Sequence, residues 1–129
     1  MEKQRMNRIT ESEWQLMEYI WEKEGGITQP EIMEQTGDRW NKNTIHTFLK
    51  RLSDKGYIEI IKTVSPHRYL ALVKRAECVR EEQNSFLEKL YGGSISRMVT
   101  SFVADGGLSP KEADELRKLL DSLDEQGNT

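Results

Sequence analysis

A mainly α-helical fold is predicted for this 129-residue chain by three features of its sequence. Apolar residues recur at i, i+3, i+4 and i+7 in several segments, the spacing of helices that bury one face. Ser or Thr stands three residues before Glu where such segments begin, the capping-box pattern that opens a helix. Short β-prone runs occur only between the third and fourth of these segments, on either side of a Ser-Pro turn. Charged residues make up 32% of the chain and hydrophobic ones 36%, which allows one real core in a polar, soluble protein.

The first helix is expected from residue 10 to about residue 24, opened by Thr10 with Glu13 and ended by Gly25-Gly26. Trp14, Met17 and Trp21 share one face, with Leu16 and Ile20 beside them, and read as core. Thr28 and Glu31 open a short second helix, "QPEIMEQTG", with Pro30 in its first turn, where a missing N–H costs nothing. Asn41 and Thr44 mark the start of a third helix, residues 42 to about 55, which stops at Gly56. The runs "YIEIIKT" and "RYLALV" then form a hairpin with Ser65-Pro66 near its tip. Three helices followed by a two-stranded hairpin is the winged helix-turn-helix arrangement, with the third helix as groove reader and the hairpin as wing.

The character changes after residue 73. A long helix from about residue 76 to 91 carries Val79, Phe86, Leu87 and Leu90 on one side, and Gly92-Gly93 breaks it. "SISRMVTSFVA" follows, with Ile95, Met98, Val99, Phe102 and Val103 apolar, up to Gly106-Gly107. In the last helix Ser109 caps, Pro110 takes the first position, Glu112 completes a capping box, and Leu116, Leu119, Leu120 and Leu123 form the stripe. Three helices of about 45 residues in all cannot bury these stripes well alone, and packing against a second copy of the chain is the commonest remedy. The expected organisation is a winged-helix DNA-binding domain over residues 1–73 and a small three-helix dimerisation domain over residues 74–129. Val79, Phe86, Leu87, Leu90, Met98, Leu116, Leu119, Leu120 and Leu123 are its candidate dimer contacts.

Catalysis finds no support. The chain has no HExxH, CxxC, Gly-rich phosphate loop or Gly-x-Ser-x-Gly elbow, and its only histidines are His46 and His67. Neither a metal site nor a cofactor is expected. No apolar run approaches the roughly 18 residues that span a bilayer, the start "MEKQRMNRITE" is not a signal segment, and a lone cysteine suits a reducing compartment. The expected location is the cytoplasm, without membrane insertion.

The distribution of charge says more than the net value of −3. Residues 39–75 hold nine basic and two acidic side chains, a balance of +7, while the segments on either side each sum to −5. Within this basic segment the third helix turns Ile45, Phe48, Leu49 and Leu52 inward. Its other face carries Asn43, Thr44, His46, Thr47, Lys50 and Arg51, without an acid before Asp54. Such a face suits a DNA major groove: Asn can read adenine, Lys or Arg guanine or phosphate, and Thr a thymine methyl or a phosphate. Residues near the start of a recognition helix reach deepest, which favours Asn43, Thr44 and Thr47 as base readers. Lys50 and Arg51 read as phosphate anchors, and His46 fits either role. Lys62, His67 and Arg68 lie where a wing meets the flanking backbone. The bland reading, that Lys50, Arg51 and Lys55 form an ordinary solvated helix face, weakens once that helix is third in a winged array.

Taken together, "ITESEWQLMEYIW", "NTIHTFLKRLSDKGYI", "RYLALV", "LYGGSISRMVTSFV" and "LSPKEADELRKLL" resemble the penicillinase-repressor family, the BlaI/MecI-like winged-helix repressors, over roughly residues 8–123. The resemblance implies a homodimeric repressor on palindromic operators of double-stranded DNA, controlling β-lactam-resistance or related genes. It also implies inactivation by a membrane sensor metalloprotease that cuts the C-terminal half, at a position matching Ser101-Phe102 here. Thr44 and Thr47 match positions of operator contact in the family. Asn43 and His46 depart from its usual residues, so the operator sequence need not be the same. The copper-responsive branch carries a C-terminal cysteine cluster that is absent here, and Cys78 reads as a half-buried thiol. Two other readings compete: a MarR-type winged-helix regulator released by a small ligand, and a winged-helix adaptor that binds protein and no DNA. Ligand-reversible release without chain cleavage would mark the first, and failure to retard any duplex the second.

Overall fold

Thr10 opens the first helix in the computed structural model, which describes residues 8–125. Its hydroxyl accepts the Glu13 N–H at 3.2 Å, and the Glu13 carboxylate accepts the Thr10 N–H at 3.0 Å. Helix α1, Glu11–Glu22, closes two residues earlier than its sequence predicts because Lys23 turns extended and donates its N–H to the Ile20 carbonyl. The chain then passes through Gly26, whose φ of 101° few other residues adopt. A Cβ added at Gly26 would stand 3.1 Å from the Arg68 Cβ, so the residue also permits close approach of two backbones.

That approach creates an element the sequence did not announce, the two-residue strand β1, Ile27–Thr28. Thr28 also caps α2, Gln29–Thr36, with Glu31 completing the second capping box. The Thr28 N–H, and then the Lys23 ammonium at 3.0 Å, hold the Glu31 carboxyl down to about 2 from its ordinary 4.5. Because the folded-state value is the lower one, this stabilisation is present above pH 4.5 and lost as the pH falls toward about 2. Glu31→Gln should therefore lower the urea midpoint at neutral pH. The gap from the parent protein should close across that acid window, which a pH series of urea melts would show.

Asn41 caps α3, Lys42–Asp54, and Gly56, with a φ of 90°, takes the chain out of it. Strands β2, Ile58–Ile61, and β3, Arg68–Ala71, pair antiparallel as the expected hairpin. Strand β1 adds to the other edge of β3, with Ile27 opposite Tyr69, giving a three-stranded sheet of order β1-β3-β2. The core combines Leu16, Met17 and Ile20 of α1 with Ile32 of α2 and Ile45, Leu49 and Leu52 of α3. Ile27, Tyr57, Ile58 and Tyr69 cover it from the sheet side. Full burial of each Leu or Ile contributes roughly 1.5–3 kcal/mol. Trp14 and Trp21 stand edge to face at its margin, 5.4 Å apart, and are only partly buried.

Helix α4, Arg75–Tyr91, begins one residue before its expected start. The Arg75 guanidinium reaches the Glu18 carboxylate of α1 at 2.9 Å and holds that carboxyl below its usual value, although burial opposes this. Trp21 Nε1 donates to the Val73 carbonyl at 3.0 Å. Cys78, read from sequence as half-buried, is 3% exposed and belongs to the core just described. Packing of the first turn of α4 on that core, which helix periodicity alone does not reveal, accounts for the difference.

The chain divides into two compact units between Val79 and Arg80. The second contains the rest of α4, then α5, Ile95–Ala104, and α6, Pro110–Glu125. Ser94 caps α5, while Ser109 and Glu112 form the third capping box. Neither α5 nor α6 buries a single residue fully. Among the described residues no helix is long and apolar enough to cross a membrane.

Candidate nucleic-acid interface

Two opposed faces of α3 define the site. Ile45, Leu49 and Leu52 are buried, which fixes the roll of the helix and turns Asn43, His46, Thr47 and Lys50 outward in a single stripe. Arg51 is exposed at its side, and Thr44 is half-buried near the start. Phe48 is only partly buried and stands edge to face with Trp40 at 5.2 Å. Asn41 accepts the Thr44 N–H at 2.8 Å, so the first turn is held by its cap. The Thr47 hydroxyl donates to the Asn43 carbonyl at 3.0 Å, which uses its proton and leaves its methyl and oxygen lone pairs to meet a ligand. Lys50 lies 3.8 Å from Asp54 with both side chains about two-thirds exposed, a pair too weak to hold the ammonium from a phosphate.

The wing supplies a second edge. Lys62 and His67 are exposed in the connection between β2 and β3. Arg68 is exposed as well, but its Nη1 donates to the Gly26 carbonyl at 3.1 Å and so ties the wing to the chain entering β1. Between the wing tip and the starts of α2 and α3 lies a groove of about 550 Å³, with Gln29, Lys42, Ser65, His67 and Tyr69 as its polar lining. Gln29 Nε2 donates to the Lys42 carbonyl at 2.9 Å and pins the two helix starts together.

The basic segment is narrower on the surface than in the sequence. Arg39 donates to Gln15 Oε1 at 2.9 Å and lies over the Trp40 ring. Lys55 is not a solvated cation: its ammonium contacts Glu13 Oε1 at 2.7 Å and donates to the Arg8 carbonyl, with its side chain 15% exposed. Arg75 is engaged by Glu18. Within residues 39–75, Lys42, Arg51, Lys62 and Lys74 have no ion pair among the described residues, and with Lys50 they make up most of that segment's available positive charge. Sequence reasoning did not single out Gln29, Lys42 or Tyr69. The Thr28 cap and Asn41 cap mark where α2 and α3 start, but nothing local shows that the wing closes over both.

The remaining candidates lie in the second unit, apart from Val79, the last residue of the first. Phe86, Leu90, Leu119, Leu120 and Leu123 are exposed, while Val79, Leu87, Met98 and Leu116 are half-buried. Phe86 stands edge to face with Tyr91 at 6.1 Å. Ser101 and Phe102 fall in the last turn of α5, where their carbonyls accept the N–H groups of Asp105 and Gly107. Phe102 is 44% exposed.

Comparison with known proteins finds relatives along most of the chain. The profile of the penicillinase repressor family matches residues 9–122. The chain is 33% identical over 113 residues to the methicillin resistance regulatory protein MecI of Staphylococcus aureus (strain N315), covering 87% of this chain and 92% of that protein. It is 30% identical over 116 residues to the penicillinase repressor of Staphylococcus aureus, covering 89% and 92%. With the penicillinase repressor of Bacillus licheniformis the identity is 28% over 116 residues, covering 88% and 90%. The chain belongs to the penicillinase repressor family.

Proposed function

We propose that this protein is a transcriptional repressor that binds palindromic operator DNA as a homodimer. The acid-free outer stripe of α3, Asn43, His46, Thr47 and Lys50 with Arg51 beside it, carries the reading. It offers donors and acceptors for base edges and cations for phosphates, on a helix whose roll is set by the core. The names of its relatives, a methicillin resistance regulator and two penicillinase repressors, favour β-lactam-resistance or related genes as targets. The exposed leucines of α6 and the exposed Phe86 and Leu90 of α4 favour pairing with a second copy.

Relief of repression through cleavage at Ser101-Phe102, by a membrane sensor metalloprotease, fits a bond near the end of a helix that buries no residue fully. Opening the last turn of α5 releases few contacts, as a protease needs. The cut would separate α6 and its leucines from the rest of the chain.

Titrating a duplex that carries the upstream region of its own gene, over a range of salt, tests the reading. Binding should weaken steeply as salt rises, because phosphate contacts release counterions. Arg51→Gln should reduce the slope of log K against log salt by about one. A salt-insensitive interaction, or no retarded duplex at any salt, would sink it.

A further inference from the structure

We infer that the groove between the wing tip and the starts of α2 and α3 seats one sugar-phosphate strand of the duplex, with Lys42 and Tyr69 as its anionic-oxygen partners. This rests on the DNA-binding reading and adds a contact outside the stripe of α3. None of the residues lining the groove is acidic, although the chain has 22 Asp and Glu residues. Lys42 is exposed and has no ion pair among the described residues, and the Gln29 amide holds its backbone in place. Tyr69 is 5% exposed, yet among the described residues no side-chain hydrogen bond satisfies its phenol. Its ring is largely buried but its hydroxyl keeps access to solvent at the groove, so the O–H is available to an incoming oxygen. Burial pushes the Tyr69 phenol up from its ordinary value, so it remains a protonated donor, the form that suits a phosphate oxygen. Pro30, Met33 and Pro66 complete the lining and offer apolar surface to deoxyribose. The stripe of α3 enters the groove of the duplex and this second seat would grip the strand beside it, fixing register without reading sequence.

Full-length Lys42→Gln and Tyr69→Phe, titrated against the same duplex by fluorescence anisotropy at several salt concentrations, test the assignment. Lys42→Gln should lower the salt slope by about one and leave the ranking of operator variants unchanged. Tyr69→Phe keeps the ring, and with it the core, and should weaken binding about tenfold at an unchanged melting temperature. A duplex with one neutral methylphosphonate at the seated position should bind the parent protein more weakly, with no further loss in Lys42→Gln. If both variants keep the parent affinity and slope while the duplex is still bound, the seat is overturned and the repressor reading stands. If the parent protein binds no duplex, it is the repressor reading that fails.

Discussion

On the proposed homodimer, replacing Leu119 and Leu120 together by Glu is expected to give a monomer and to abolish tight operator binding. Leu119, Leu120 and Leu123 are 65, 55 and 63% exposed in the single chain, on a helix that buries none of its residues fully. In a two-fold dimer each would be covered in both copies, and covering one such side chain contributes roughly 1.5–3 kcal/mol. Two carboxylates per copy would remove that gain and place like charges across the axis. Loss of the dimer should cost DNA binding roughly 10²–10⁴-fold, because the second half-site is then no longer bound at high effective concentration. Sedimentation equilibrium would give the mass and gel retardation the affinity, while the urea midpoint of the first unit should not move. A variant that stays dimeric would show that the partner surface lies elsewhere.

Lys55→Ala should destabilise the first unit by about 3–5 kcal/mol, a large part of the 5–15 kcal/mol that holds a typical domain folded. Glu13 is fully buried, and its Oε1 accepts both the Lys55 ammonium and the Thr10 N–H. Its Oε2 has no hydrogen-bond partner, so the ammonium is the main compensation for a buried carboxylate. Removing Lys55 therefore strands a charge and loosens the α1 cap and the end of α3 together. Adding Glu13→Gln should restore much of the loss, since a neutral amide oxygen can still accept from Thr10. Urea melts of the single and double variants would measure both effects. If Lys55 were instead a solvated cation facing DNA, its removal would reduce affinity and leave stability within about 0.5 kcal/mol.

What the sequence made legible was chemistry confined to a few neighbouring residues. All three capping boxes form as their i, i+3 spacing predicts, and the apolar stripe of α3 determines which of its residues face outward. Strand β1 escaped because two residues show no period, and Ile27-Thr28 becomes a strand only when Tyr69 and Arg68 arrive opposite it. Summed charge misled for a similar reason. Arg39, Lys55 and Arg75 find partners on α1 that lie 24, 42 and 57 positions away, and no local count can subtract them. The groove at Lys42 is assembled from three separate segments, so it too was invisible until the wing was placed.

The measurement that bears most directly on the repressor account is a hydroxyl-radical footprint of the purified protein on the DNA upstream of its own gene. Two protected half-sites related by a two-fold axis are expected, their centres about ten base pairs or a multiple of that apart. Within each half-site, protection should weaken when Asn43 or His46 is replaced by Ala. A single unsymmetric patch, or no protection at a concentration that retards unrelated duplexes equally well, would contradict it.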